Sequence, residues 1–142
     1  MIYLLDTDHL SIIQDDTRPG HRTLLRRLTS ASREDICTTI VSLQEQMQGW
    51  LAFLARARSS AQIIIAYNEL EEMFRSYCEM KVLRYSDDAE DRFVALRKKR
   101  VRIGSMDLRI AAIALSHGAI VLTRNVTDFR QVPGLVVEDW TA

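Results

Sequence analysis

Two kinds of hydrophobic pattern alternate along this chain. Short apolar or β-branched runs occur at Met1–Leu5, Ile36–Val41, Val82–Ser86, Ala119–Thr123 and Leu135–Trp140. Most lack the polar alternation of a half-solvated strand, so they fit a parallel sheet covered on both faces. Between them, apolar residues recur at helical spacing. That spacing predicts helices over about Asp8 to Gln14 and over His21 to Ser30, the latter with apolar Leu24, Leu25 and Leu28 at helical spacing. A long helix opening at Ser42 carries a stripe of Leu43, Met47, Trp50, Leu51 and Leu54. Ser59-Ser60 breaks it, and a second helix over about Ala61 to Met80 carries Ile63, Tyr67, Leu70, Phe74 and Tyr77. The two form an antiparallel hairpin whose stripes suit a core or a partner surface.

Further on, Asp87-Asp88 caps a helix reaching about Arg100, with Phe93, Val94 and Leu96 inward. Ile103-Gly104-Ser105 is a hinge. The helix that Asp107 begins stops near His117 at Gly118, a favourable C-cap. Arg124 to Phe129 reads as a loop with one helical turn at most, and Pro133-Gly134 turns the chain into its last strand. Strands alternating with helices imply an α/β layer architecture with a mostly parallel sheet, in one domain spanning residues 1–142. Right-handed crossovers put the helix N-termini on the edge where the strands end.

That edge collects acids. Asp6 ends the first strand, Glu45 lies in the first turn after the second, Asp107 begins its helix, and Asn125 and Asp128 follow the fourth strand. Each has an ordinary structural reading. Thr7 or Asp8 after Asp6 suits a helix cap. Ser42-x-x-Glu45 spells a capping box, in which the glutamate reaches back to the Ser42 N–H. Asp107 suits a helix start but shares its stripe with Ile110, Ala111 and Ala114, where a carboxylate is expensive unless paired or metal-bound. Asn125 and Asp128 are ordinary turn residues, and Asp8 suits a cap, the site, or both. His9, His21 and His117 lack metal or triad spacing and read as incidental. Gathered carboxylates with no lysine among them repel one another. A hard divalent cation, magnesium or manganese, resolves that repulsion, and its chemistry is phosphodiester hydrolysis.

Composition changes this picture little. Formal net charge is zero, so no global field announces a nucleic-acid partner. The local exception is the run Arg97-Lys98-Lys99-Arg100-Val101-Arg102. Its Arg97, Lys98, Arg100 and Arg102 suit either a helix C-terminus or contact with RNA phosphates. Cys37 and Cys78 are too few for a disulfide framework or zinc site. With no signal peptide and no stretch near the ~20 apolar residues of a membrane span, the expected address is cytoplasmic.

Four segments in order carry a resemblance: Leu4-Leu5-Asp6-Thr7-Asp8, Val41-Ser42-Leu43-Gln44-Glu45 through Gly49, Ser105-Met106-Asp107-Leu108-Arg109-Ile110-Ala111-Ala112, and Leu122-Thr123-Arg124-Asn125-Val126-Thr127-Asp128-Phe129. With the closing Val137-Glu138-Asp139-Trp140, the chain resembles PIN-domain ribonucleases, most closely the VapC-type toxins of bacterial toxin–antitoxin pairs. The resemblance implies a parallel five-stranded sheet in the order 3-2-1-4-5, flanked by helices. It also implies an endoribonuclease dependent on Mg²⁺ or Mn²⁺. Asp6, Glu45 and Asp107 match the three main acids; Thr7, Asp8, Ser105 and Thr123 border them on the same motifs. Relatives often carry an acid directly after the Thr-Arg pair, where this chain has Asn125. Either Asn125 is a neutral ligand there or Asp128 substitutes through water. Homodimers are usual in the family, as is a small antitoxin lying across the helical hairpin. The rivals are a non-catalytic PIN-like module binding RNA or protein, and a phosphatase acting on small esters.

Overall fold

The computed structural model describes residues 1–142, and its strands form where the apolar runs lie. They are β1 (Tyr3–Leu5), β2 (Ile36–Thr39), β3 (Lys81–Leu83), β4 (Ile120–Leu122) and β5 (Val136–Glu138). All pair in parallel, in the order β3-β2-β1-β4-β5. The chain therefore builds outward from β1 on one side, then returns to add β4 and β5 on the other. The carboxyl ends of β1 and β4 flank the point where direction reverses, which is where an open sheet of this kind leaves a crevice. Backbone bonds extend the pairing past the strands there: Asp6 N–H donates to the Leu122 carbonyl (3.2 Å) and Thr123 N–H to that of Glu138 (3.0 Å).

The helices are α1 (Thr7–Ile13), α2 (His21–Ser30), α3 (Ile40–Ala55), α4 (Ser60–Glu79), α5 (Asp87–Lys98), α6 (Ser105–His117) and α7 (Val126–Phe129). Alternation along each strand divides the core. Leu4 and Val121 face Phe93, Leu96, Ile110 and Ile113 of α5 and α6. Leu5, Ile120 and Leu122 face Leu10, Leu24, Met73 and Tyr77 on the other side. Ile110 and Ile113 are fully buried, each contributing about 1.5–3 kcal/mol of apolar transfer energy. Helix α6 is thus the wedge that fixes Asp107 at the sheet's edge.

Local departures from the sequence pattern have identifiable causes. β2 stops at Thr39, because the Thr39 hydroxyl accepts the Ser42 N–H (3.1 Å) and starts α3 early. Ile40 and Val41 are helical despite their β-branching. The inward face of α4 is Ala66, Met73 and Tyr77; Tyr67 and Phe74 are 58% and 67% exposed. Of the predicted stripe, Tyr77 is buried and Leu70 packs against the core, while Ile63, Tyr67 and Phe74 face solvent. Val94 likewise points out of α5, and Ala89 takes its place in the core. Helix α5 ends at Lys98, and Arg100 adopts a left-handed φ of 61°. A 3₁₀ turn at Arg33–Asp35, unsignalled by the pattern, precedes β2.

Candidate active site

Asp6 is itself the N-cap of α1, its carboxylate accepting the His9 N–H at 2.9 Å. Neither Thr7 nor Asp8 is the cap. The side chain is buried, and burial pushes its carboxyl up to about 7, against the opposing pull of the Thr123 hydroxyl and the His9 N–H. Asp8, two residues on, has a different task. The Arg124 guanidinium grips it at 2.7 Å (Nη2 to Oδ1) and 3.1 Å (Nε to Oδ2), and the Arg124 backbone N–H donates to it at 3.2 Å. Burial raises the Asp8 carboxyl, but hydrogen bonds from His9 and Arg124 overcome this and hold it well below the usual carboxylate range. This clamp ties the start of α1 to the loop that follows β4.

Glu45 caps nothing. Ser42 sits within the first turn of α3, its N–H already taken by Thr39, so the capping box does not form. Glu45 instead accepts the Thr7 hydroxyl at 2.7 Å, which draws the first turn of α1 to the second turn of α3. Asp107, near the start of α6, is raised to about 6 by burial first, then by the charges of Glu45 and Asp128, with the Asn125 amide opposing. Asn125 Nδ2 donates to Asp107 (3.4 Å) and to Asp128 (3.0 Å). Its backbone N–H donates to the Thr123 hydroxyl (2.9 Å), the group that also restrains Asp6.

The structure therefore brings Asp107, Asn125 and Asp128 into direct contact, with Glu45 in electrostatic range, and links them through Thr123 to Asp6. Ser105 opens α6 two residues before Asp107. Arg97, Lys98, Arg100 and Arg102 are exposed, and none is hydrogen-bonded or ion-paired to these acids. Arg97 lies over the Phe93 ring at 5.1 Å.

His9 is not incidental. It is fully buried, with Nε2 accepting the Trp140 N–H (3.1 Å) and Nδ1 3.4 Å from Asp8. That backbone donor places the ring proton on Nδ1, directed at Asp8. Sequence reasoning also missed Arg124 and Gln46. The Gln46 amide donates to Ser11 (3.1 Å) and Gln14 (2.9 Å) and accepts the Tyr77 hydroxyl (3.0 Å), locking α3 to α1 and α4 beside Glu45. These partners are far apart in sequence and lack fixed spacing; His9 and Gln46 offered only a polar residue on a helix, and Arg124, an exposed loop residue, offered no signal.

The donor set fits a hard divalent cation. Asp6, Glu45 and Asp107 are oxygen donors; burial raises the carboxyl of Asp6, and burial together with the charges of Glu45 and Asp128 raises that of Asp107. Asp6, Asp8 and His9 also have ligand atoms within 4.8 Å of one another. Asp8 is held by Arg124 and both His9 nitrogens have protein partners, while Asp6 accepts from the His9 N–H and the Thr123 hydroxyl.

Comparison with known proteins follows the same lines. A family model described as PIN domain matches residues 3–135. The tRNA(fMet)-specific endonuclease VapC of Salmonella typhimurium is 28% identical over 142 residues, covering 97% of each chain. Ribonuclease VapC1 of Haemophilus influenzae strain R2866 is 27% identical over 142 residues, covering 99% of each. Among solved structures, VapBC-1 from nontypeable Haemophilus influenzae superposes over 100% of both chains at 25% identity, with a TM-score of 0.71. DNA-bound VapBC from Salmonella typhimurium gives a TM-score of 0.76 at 24% identity, covering 99% of this chain and 98% of that one, a likeness of fold.

Proposed function

The chain belongs to the PIN domain family, and from that premise we propose that it is an endoribonuclease, the toxin of a toxin–antitoxin pair, dependent on Mg²⁺ or Mn²⁺. The observation that carries this reading is the junction of Asp107, Asn125 and Asp128 beside Glu45, reached from Asp6 through Thr123. Asp6, Asp107 and Glu45 hold the cation. When bound, it supplies Lewis acidity to the scissile phosphate and the attacking water. Glu45 keeps one carboxylate oxygen on Thr7, and its other oxygen completes the cation's shell or orients the water. Asn125 commits its Nδ2 to the two aspartates, so Oδ1 is its atom for the cation, and Asp128 acts through it. Exposed Arg97, Lys98, Arg100 and Arg102 draw RNA phosphates toward the crevice.

Two further assignments rest on the surface. The exposed apolar stripe Ile64, Tyr67 and Phe74 on α4 is where the antitoxin docks, and the chain works as a homodimer. No helix is long and apolar enough to cross a membrane, and a toxin acting on cellular RNA would work in the cytoplasm. The test is cleavage of a mixed RNA substrate with added Mg²⁺ or Mn²⁺, beside EDTA and Asp107→Asn controls. Cleavage lost in both controls is expected. RNA left uncut under either metal, and bound equally well by wild type and variant, would overturn catalysis in favour of a binding module.

A further inference from the structure

A groove of about 710 Å³ opens at the Thr7–Glu45 contact and runs between α1 and α3 toward α4. Its size falls within the roughly 300–1,000 Å³ of sites that take a small ligand. Helical spacing puts Glu45, Gly49 and Phe53 on one face of α3, with Trp50 beside them.

Gly49 is unusual there. In a helix interior, glycine costs about 1 kcal/mol relative to alanine. Its backbone is not left-handed, and an added Cβ would meet nothing within 4 Å. Neither conformation nor close packing requires glycine at this position. Its effect is to leave the groove wall between Glu45 and Phe53 bare.

The rest of the lining selects an occupant. Trp50 and Phe53 meet edge to face, with centroids 5.5 Å apart, and both are half-exposed. Asp15, at one rim, is occupied by Thr17 and faces Arg18 at 3.8 Å, which leaves Glu69 as the unpaired charge beyond the site. A carboxylate repels phosphate oxygens but accepts from the amino and imino groups of a nucleobase. Aromatic faces bind bases without sequence preference by stacking.

We propose that this groove holds an unpaired RNA base adjacent to the scissile phosphate, stacked on Trp50 with Phe53 against its edge, while the sugar–phosphate chain runs outside it. The assignment rests on the nuclease reading and explains how single-stranded RNA is presented to Glu45. It also gives Gly49 a function: a larger side chain there occupies the space of the base.

The test uses two variants and a pool of single-stranded RNA 10-mers. Gly49→Leu should raise KM for RNA about tenfold, the loss of one stacked base, while thermal stabilisation by Mg²⁺ is retained. In a Trp140→Phe background, in EDTA, the RNA pool should quench the emission of Trp50, and adding Gly49→Leu should remove the quench. An unchanged KM in Gly49→Leu, or emission indifferent to RNA, overturns the assignment. So does a Gly49→Leu chain that loses only a protein partner. Failure of the nuclease reading itself is distinct: wild type would cut nothing, while the quench in EDTA would still report on the groove. If Trp140→Phe does not fold, the KM measurement on the otherwise native chain decides alone.

Discussion

Asp6 is both a helix cap and a buried acid, and the two roles separate in the metal-free protein. An aspartyl carboxyl has its ordinary value at 3.8, and burial raises it in Asp6 to about 7. The folded state thus binds this proton more tightly than the unfolded state does. The associated stability is fully present below 3.8 and is lost as pH rises through about 7. At 1.36 kcal/mol per pH unit, the difference amounts to about 4 kcal/mol at pH 8. Asp6→Asn keeps the shape and an equally good cap for the His9 N–H, but has no charge to bury. In urea denaturation with EDTA, wild type should therefore weaken between pH 5 and pH 8. Asp6→Asn should lose most of that slope and be the more stable protein at pH 8. Asp107 acts in the same direction, raised to about 6, but its partial exposure screens its share to about 1 kcal/mol, which persists in the variant. Asp8, depressed by Arg124, acts oppositely, and its stability is lost only in acid, outside this window. Saturating Mn²⁺ at 100 times Kd should return about 2.7 kcal/mol to wild type and far less to the variant. A flat wild-type profile from pH 5 to 8, or an Asp6→Asn protein weaker than wild type at pH 8, would refute the reasoning.

Asp6 also marks the division between what the sequence made legible and what it did not. A continuous apolar run ending in a carboxylate located β1 and its acid, because strand burial on both faces is written in consecutive residues. The same held for the runs behind β2, β4 and β5, and for the convergence of Asp107, Asn125 and Asp128, which parallel crossovers dictate. Helix rotation and caps were harder. Ser42 and Glu45 have the right spacing for a capping box, yet Thr39, three residues earlier, captured the Ser42 N–H first. Tyr67 and Phe74 have helical spacing with Ile63, yet α4 buries Ala66, Met73 and Tyr77 and leaves those three toward solvent. The ties that stiffen the site were illegible for a different reason. Asp8 and Arg124 are 116 residues apart, and His9 and Trp140 are 131 apart. No local pattern announces a partner at that distance.

Two of these features yield further expectations. Arg100 occupies the left-handed position just past α5, where Val101 N–H returns to the Leu96 carbonyl (3.3 Å) and glycine is the favoured residue. Arg100→Gly should stabilise the protein by about 1 kcal/mol in thermal melts and reduce the salt slope of RNA binding by about 0.7; an unmoved slope would remove Arg100 from the RNA path. Asp8→Asn tests whether the Arg124 clamp positions the metal donors or merely adds stability. The pair is part-exposed, so its loss should cost about 1 kcal/mol. If the clamp holds Asn125 and Asp128 against Asp107, Mn²⁺ affinity by calorimetry should fall about tenfold, as for other residues that orient ligands without binding the ion. A stability loss with undiminished Mn²⁺ affinity would make the clamp a fold contact alone, because freeing the Arg124 loop would then have left the donors where they were.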